Sequence, residues 1–369
     1  MSITNFFFIF AVYGIRAFQV SDTANEFSDD VYVNARIMTC ITSILLCAIF
    51  LIISGYTAYQ YAVVIIYMVF RGFEAFADVF HGIQQKHWRM DYVGISLGIR
   101  GLLSLGVFIV LGWLYGLLAA VIGMAVTAAL VVLLFDLYNA RKLSVFSLAL
   151  SFSKFNRSLA LLKICFPMLI SGGILVIVPS FVRLQVEIVY GTDELGIFST
   201  VTTPTLIVQI LASFLILPAV GIFSSAFEAG NYRKFIKIFI MIAVLITGVA
   251  LVAYIGSLFL GEWGLVFLFG GGVKAYSYLL PQAIIVSGFT GLIWYVNMVF
   301  TVIRDFKGLL TGLGISAAIS LISANWFLTE YGLSGANYVM IATQGAAMTC
   351  LLPRLFWFIL AKRKESRHY

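Results

Sequence analysis

FIKIFIMIAVLITGVALVAYIGSLFL, residues 235–260, is a long apolar run that carries a single charge, on Lys237. About 20 such residues in an α-helix cross a bilayer core of about 30 Å. Because lipid offers the backbone no hydrogen-bond partners, only helices and closed barrels can span it. The run is continuous and does not alternate in polarity, so it predicts a membrane-spanning helix and not a barrel strand.

Runs of this kind recur along the whole chain. Hydrophobic residues make up 62% of the sequence and charged residues 11%, against about 25% charged in an ordinary soluble domain. We therefore predict an all-α, polytopic transmembrane helix bundle of about 11 spans. The predicted helices cover residues 3–20, 32–53, 57–82, 92–114, 116–138, 159–190, 195–228, 235–260, 277–303, 308–329 and 334–360.

The longest basic connection, RKLSVFSLALSFSKFNRS at 141–158, divides five predicted spans from six. We predict an N-terminal helix bundle at 1–140, a basic cytoplasmic linker at 141–158, and a C-terminal bundle with a cytoplasmic tail at 159–369. The apolar middle of the linker fits two interpretations, a segment lying on the membrane surface or a disordered loop.

Lysine and arginine are concentrated in every second loop, and Lys274 is the one basic residue of the opposite loops. Short cytoplasmic loops carry such an excess, so this split predicts the orientation. The tail AKRKESRHY at 361–369 is then cytoplasmic. The net charge of +7 is explained in the same way, and we expect no nucleic-acid partner.

The segment FRGFEAFADVFHGIQQKHWRM at 70–90 places Arg71, Glu74, Asp78 and His81 along one stripe of the third predicted helix. A charge inside a span costs roughly 2.5–3.5 kcal/mol on insertion scales and usually faces protein or a water-filled cavity. One interpretation is a polar cavity wall in which Glu74 or Asp78 takes up a proton. The other is a structural ladder of ion pairs between helices or, for Asp78 and His81, the cytoplasmic end of the span. Opposite charges at 71 and 74, and a pair at 78 and 81, would offset part of the burial cost.

Four further arginines are candidate binding residues. Arg100 has no acidic residue within one helical turn, and a fixed guanidinium binds two phosphate oxygens at once. Arg16 and Arg36 fit the same role, or contact with lipid headgroups by snorkelling. Arg183 lies four residues before Glu187, which predicts an interfacial ion pair or a substrate contact.

Motifs of enzymes and metal sites are absent from the sequence. No phosphate-binding glycine loop with lysine is present, and His81, His87 and His368 lack the spacing of metal ligands. The sequence predicts no catalytic residue, no metal and no cofactor. Prolines that would break helical hydrogen bonds fall within spans at Pro167, Pro179, Pro204, Pro218 and Pro281.

Several segments resemble bacterial polysaccharide (O-antigen, capsule or exopolysaccharide) flippases of the multidrug/oligosaccharidyl-lipid/polysaccharide exporter (MOP) superfamily. YGIRAFQVSD (13–22) and EFSDDVYVNARIMT (26–39) resemble the second and third helices of that group, and residues 70–91 resemble its fourth. GTDELGIFSTVTTP (191–204), ASFLILP (212–218) and YGLSGA (331–336) resemble its second half. The helix usual before the segment at 3–20 is not recognised, so the first bundle is expected to lack one span.

The resemblance implies two helical bundles around a central cavity in the bacterial cytoplasmic membrane. It implies that undecaprenyl-diphosphate-linked oligosaccharide is moved from the inner to the outer leaflet. The substrate contacts it implies are Arg16, Arg36, Arg71, Arg100 and Arg183, with Glu74 and Asp78 for proton or ion coupling. Membrane lipids, the lipid-linked cargo and polysaccharide assembly enzymes are the implied partners.

Two other functions fit the composition. A cation-coupled drug or metabolite antiporter of the same fold would favour acidic cavity residues over basic ones. A membrane polysaccharide polymerase or acyltransferase would carry a long outer loop or a histidine and arginine cluster, and neither is visible in the sequence.

Overall fold

The structure is a computed structural model that describes residues 2–22, 24–148 and 152–365. Every regular element in these ranges is helical. The helices are α1 Ser2–Val12, α2 Ile15–Ser21, α3 Asp29–Ile53, α4 Ala58–Lys86, α5 Met90–Tyr115, α6 Leu117–Val131, α7 Leu137–Leu143, α8 Phe152–Tyr190, α9 Thr192–Thr202, α10 Leu206–Glu228, α11 Tyr232–Phe269, α12 Leu279–Ile303, α13 Phe306–Tyr331 and α14 Ser334–Glu365. A π-helical turn, Val132–Asp136, joins α6 to α7, and 3-10 turns occupy Thr203–Thr205 and Gly271–Tyr276.

The all-α prediction is confirmed, and helices are present at all eleven predicted spans. Nine helices or helix pairs in the described ranges are long and apolar enough to cross a membrane, as expected of a multi-pass membrane protein. Of the other two predicted spans, α1 and α2 are separated by a break, and α4 carries the charged residues of the segment 70–90. The predicted helix at 195–228 is interrupted by the turn at Pro204, and α11 continues nine residues past the predicted end at 260.

The first predicted span is broken at Tyr13 and Gly14, both of which adopt positive φ angles (51° and 67°). A β-carbon added at Gly14 would lie 2.6 Å from Cβ of Met168 on α8. The position therefore needs glycine both for its left-handed backbone and for the close approach of α8. Sequence periodicity did not predict this break, because the residues on either side are apolar and helix-compatible.

The predicted linker is shorter than expected. Residues 144–148 have no regular secondary structure, and α8 begins at Phe152, so the last part of the linker is helical. Asp29 and Asp30, at the start of α3, accept hydrogen bonds from Ser144 Oγ (2.5 Å) and the Ser147 amide (2.6 Å). These contacts hold residues 144–147 against the start of α3, so this part is not a free loop, and the membrane-surface interpretation stays a prediction. Linker residues 149–151, and the last four residues of the predicted tail, lie outside the described ranges.

The chain divides into two compact units, Met1–Gly173 and Ile174–Tyr369. The first unit has small buried clusters, one of which groups Phe7, Cys47, Leu51 and Met68. The second has a larger cluster that includes Val182, Leu279, Leu328 and Val339. Because lipid tails are as apolar as these side chains, close packing and hydrogen bonds stabilise the helix contacts more than hydrophobic burial does. The bundle boundary at 141–158 stays a prediction.

Candidate functional site

The polar stripe of α4 is present, and its side chains make separate contacts with α2, α3 and the π-helical turn. Arg71 pairs with Glu74, with Nη1 2.5 Å from Oε2. The same guanidinium lies 3.6 Å from the centre of the Phe8 ring, a distance at which a cation is attracted to an aromatic face. The predicted pair between residues 71 and 74 is confirmed, and it neutralises both charges within one turn of helix.

Asp78 binds two arginines, one from α2 and one from α3. Arg16 Nη1 lies 3.1 Å from Oδ1, and Arg36 Nη2 lies 3.0 Å from Oδ2. Arg16 also donates to Oε1 of Gln85 (3.0 Å). One carboxylate thus faces two guanidinium groups, so this cluster carries an excess positive charge.

Arg36 is wholly buried and caps the C-terminal end of α1. Its Nη1 donates to the carbonyl oxygens of Ala11 (2.7 Å) and Val12 (2.6 Å). The last carbonyls of a helix have no amide partner within the helix, and a charged donor satisfies them strongly. Snorkelling of Arg36 to lipid headgroups is therefore wrong, and its main contact is with the protein backbone.

His81 contacts the π-helical turn, and the predicted pair with Asp78 is wrong. Its Nε2 lies 3.2 Å from Oδ1 of Asp136 and 3.3 Å from Oγ of Ser96. His81 and Asp136 are 2% and 0% exposed, and Oδ2 of Asp136 has no hydrogen-bond partner in the described residues. The π-helical turn places Asp136 against α4, and such turns are frequent at functional sites.

Sequence reasoning missed Asp136, although a signal was available. It stands in the apolar run VVLLFDLYN at 131–139, where a single acidic residue is as costly as the arginine at 100. Applying the rule used for Arg100 to this run would have selected it.

Arg100 is buried on α5, 8% exposed, and makes no hydrogen bond or ion pair with any described residue; its Nη1 is fully enclosed. Ser96 and Ser104 lie one turn to either side and are buried as well. We expected its partner to come from elsewhere in the chain, but no residue in the described ranges pairs with it. A buried guanidinium with no anion is a costly arrangement, and it is the strongest indication of an anion site in the first unit.

Arg183 is exposed on α8. It forms no ion pair with Glu187 in the structure as described, so the predicted pair is wrong. Its contact with substrate stays a prediction.

The second unit contains a partly open pocket of about 30 Å³ lined by α8, α12, α13 and α14. Its polar lining residues are Thr290, Ser316, Thr343 and Gln344, and none of its lining residues is charged. Two buried oxygens there, Oγ1 of Thr343 and Oε1 of Gln344, have no partner among the described residues. Sequence analysis did not single out these residues, because uncharged polar side chains are common in transmembrane helices.

Clusters of three or more His, Cys, Asp or Glu residues able to hold a metal ion are not found within the described residues. His368, which the sequence analysis considered, lies outside them.

No known family model matches the chain. It is 26% identical over 358 residues to the capsular polysaccharide biosynthesis protein CapF of Staphylococcus aureus, a match that covers 92% of this chain and 85% of that protein. Among solved structures it resembles the Vibrio cholerae MATE transporter VcmN in its bent form, with a TM-score of 0.71, 14% identity, and coverage of 98% and 86% of the two chains. A MOP-superfamily transporter from Pyrococcus furiosus gives a TM-score of 0.72 at 14% identity with the same coverage.

The chain has the fold of the MOP-superfamily transporters. The resemblance noted from the sequence is thus confirmed at the level of the fold, and the similarity to CapF fits a polysaccharide flippase of that superfamily. In this MOP fold the arginines of the first unit come from α2, α3, α4 and α5, and the uncharged pocket belongs to the second unit.

Proposed function

We propose that this protein is a transporter of lipid-linked oligosaccharide, moving it from the inner to the outer leaflet of the bacterial cytoplasmic membrane. The cargo class is an oligosaccharide joined to a polyprenyl chain through a diphosphate, as in undecaprenyl-diphosphate-linked sugars. Membrane lipids and polysaccharide assembly enzymes are the further partners this role requires. The similarity to CapF, whose name places it in capsular polysaccharide biosynthesis, supports this class of cargo.

Three guanidinium groups of the first unit carry the proposal, because two of them share one carboxylate and the third has none in the described ranges. Arg16 and Arg36 share the single carboxylate of Asp78, and Arg100 has no partner among the described residues. A diphosphate is doubly charged or more and accepts paired hydrogen bonds from a planar guanidinium. Binding it would offset the cost of keeping Arg100 buried without an anion.

The five predicted substrate arginines are not equivalent in the structure. Arg100 is the first candidate because it is buried and unpaired, and Arg16 is the second because it is 12% exposed and shares its carboxylate. Arg71 is already neutralised by Glu74, and Arg36 is held by backbone carbonyls. Arg183 remains a candidate from its position on α8.

A cation-coupled drug antiporter of the same fold is the second candidate. A cationic drug needs a carboxylate that is free to bind it, yet Glu74 and Asp78 are each within 3.1 Å of an arginine nitrogen. A cycle of proton uptake and release at Asp78 or Glu74 would break and re-form its arginine pair in either kind of transporter, so their coupling role is shared by both proposals and does not separate them.

Reconstitution separates the two functions. The purified protein in liposomes is given a fluorescent diphosphate-linked oligosaccharide, and its leaflet is read by quenching with a membrane-impermeant reagent. We expect leaflet exchange that the protein-free liposome lacks. Uptake of an organic cation driven by an imposed proton gradient, without exchange of the lipid-linked sugar, would favour the antiporter and overturn the proposal.

Arg100→Gln is the informative variant. We expect it to abolish exchange, while Arg100→Lys keeps the charge but not the paired hydrogen bonds and gives an intermediate rate. Arg89→Gln is the matched control, because Arg89 is exposed and already paired with Asp91. Arg71→Ala and Arg100→Gln are each expected to lower the amount of surface polysaccharide in cells. Normal polysaccharide levels in both of these variants would remove Arg71 and Arg100 from the site.

A further inference from the structure

The pocket of the second unit is lined by uncharged side chains, in contrast to the cluster of Arg16, Arg36 and Asp78 in the first unit. Its walls combine the ring of Trp294 and the apolar side chains of α8 with three hydroxyls and one amide. Its volume of about 30 Å³ is two to three times the roughly 10–15 Å³ that one water needs. A group of about two or three non-hydrogen atoms therefore fits without movement of the walls.

The hydrogen bonds around Gln344 show which of its side-chain atoms has no partner. Thr290 donates its hydroxyl hydrogen to the carbonyl oxygen of Val286 (2.9 Å), so its Oγ1 can only accept. Gln344 Nε2 donates to that oxygen at 2.8 Å, which leaves Oε1 of Gln344 as an unpaired acceptor. Gln344 is 6% exposed, and this oxygen is itself buried.

Ser316 and Thr343 extend the same pattern. The Ser316 hydroxyl donates to the carbonyl of Leu313 (2.8 Å), so its oxygen can only accept a further hydrogen bond. Thr343 is 2% exposed, and its hydroxyl has no partner among the described residues. An unpaired buried polar group costs about 1–3 kcal/mol, and this pocket contains two of them side by side in sequence.

The chemistry of a fitting ligand follows from these atoms. The pocket offers two acceptors, one hydroxyl that can donate or accept, and the indole N–H of Trp294, so a ligand hydroxyl, which donates and accepts, matches it. The lining has no carboxylate to balance a cation, and no cationic group to bind an anion. A neutral hydroxyl group on a small carbon, such as a sugar hydroxymethyl, has the required size, polarity and apolar edge for Trp294.

We propose that this pocket is a subsite for a neutral sugar hydroxymethyl group of the transported glycan. The inference rests on the proposed function, since it assigns the uncharged part of the same cargo to the second unit and the diphosphate to the first. Specificity for neutral sugars then depends on Thr343 and Gln344, because a site with unpaired acceptors rejects ligands that lack the donor.

The test uses the full-length protein in detergent with methyl glycosides of glucose, galactose and N-acetylglucosamine as probes. Saturation-transfer NMR and calorimetric titration measure their binding. We expect Thr343→Val and Gln344→Leu to weaken binding at least tenfold, while Thr343→Ser, which keeps the hydroxyl, retains it. Thr349→Val is the matched control, because this threonine lies on α14 as well but is exposed and donates to its own helix.

Melting temperature separates a ligand site from a structural contact. Since Oγ1 of Thr343 has no partner, Thr343→Val should melt at or above the wild-type temperature while losing the glycoside. A lower melting temperature with unchanged binding would mean that the hydroxyl has a structural role, and would overturn the proposal. Ser316→Ala provides a second variant in which binding should weaken without loss of the fold.

Two further outcomes decide the proposal. Wild-type protein that binds none of the glycosides, or variants that bind them as well as wild type, would show a pocket that holds water alone. Failure of the proposed function is seen separately, as absence of lipid-linked sugar exchange in liposomes with glycoside binding intact. If Thr343→Val and Gln344→Leu exchange the lipid-linked sugar normally and bind the glycosides as wild type does, the proposed function stands and the sugar subsite is overturned.

Discussion

Replacing Arg36 by methionine removes a buried guanidinium while keeping an unbranched side chain of similar length. The variant loses two charge-assisted bonds to backbone carbonyls and one to Asp78, each worth about 1.5–3 kcal/mol. The loss is partly offset, because Thr39 still donates to the Ala11 carbonyl and Arg16 still pairs with Asp78. We expect a net destabilisation of about 3 kcal/mol, at the lower end for breaking a buried ion pair.

The assay is thermal unfolding of the purified protein in detergent, followed by tryptophan fluorescence. For a unit of this size each kcal/mol corresponds to roughly 2–4 °C, so the Arg36 variant should melt about 6–12 °C below wild type. Arg16→Met is the matched control, since Arg16 pairs with the same carboxylate but donates to no backbone carbonyl among the described residues. Its melting temperature should fall by half as much or less.

Equal melting temperatures for the two variants would refute the capping role, because the two carbonyl contacts of Arg36 would then contribute no more than the bonds of Arg16 to Asp78 and Gln85. A double variant, Arg36→Met with Asp78→Asn, provides an internal check. The losses of the single variants Arg36→Met and Asp78→Asn should add in the double variant if the carbonyl contacts dominate, and the double variant should lose less than their sum if the ion pair dominates.

Three further predictions concern single positions. Gly14→Ala should destabilise the protein by about 2–4 kcal/mol, because alanine strains the left-handed backbone there and clashes with α8. Gly55 also has a positive φ (70°) but open space around it, so Gly55→Ala should lose only about 1–2 kcal/mol. Melting curves of both variants measure the difference. Burial alone would raise the pKa of the Asp305 carboxyl, but hydrogen bonds from Arg354 and from the amide of residue 308 lower it below its ordinary value. The stabilisation from Asp305 is then complete above the ordinary aspartate pKa and is lost as pH falls through the depressed folded-state pKa, so Asp305→Asn should flatten the acid side of a plot of melting temperature against pH. Asp136→Asn keeps one oxygen for His81 on α4 and removes an unpaired buried carboxylate oxygen. Melting curves should therefore show a free energy of unfolding no more than about 1 kcal/mol below that of wild type. A much larger loss would mean that the charged pair is needed for folding.

The sequence was sufficient for the helices because lipid imposes a length and a composition on every span. Residues 235–260 show this directly, since their apolar run lies wholly within α11. The break at Gly14 was not predictable in the same way. It depends on the approach of Met168 from α8, and a contact between residues so distant in sequence leaves no local pattern.

The candidate site was predictable in its residue types and less so in its pairings. A charge within an apolar run selects residues such as Arg71, Arg100 and Asp78, because burial is costly whatever the partner. Spacing along one helix predicted the contact between residues 71 and 74. It failed for His81, whose partner Asp136 comes from the π-helical turn after α6, because a side chain can bond across helices as readily as along its own.

Stability measurements can separate binding residues from structural ones in this fold. Arg36 and Arg71 each pair with a carboxylate, and Arg36 also donates to two backbone carbonyls, so their removal should cost stability whether or not cargo is present. Arg100 and Thr343 are buried without partners among the described residues, so their removal should leave stability unchanged or raise it, since an unpaired buried group is a net cost to the folded state. A residue whose loss stabilises the empty protein and abolishes binding is one that the fold retains for its ligand. If Arg100→Met and Thr343→Val instead lower the melting temperature as Arg36→Met does, both are structural, and the division between a diphosphate site and a sugar site has no support.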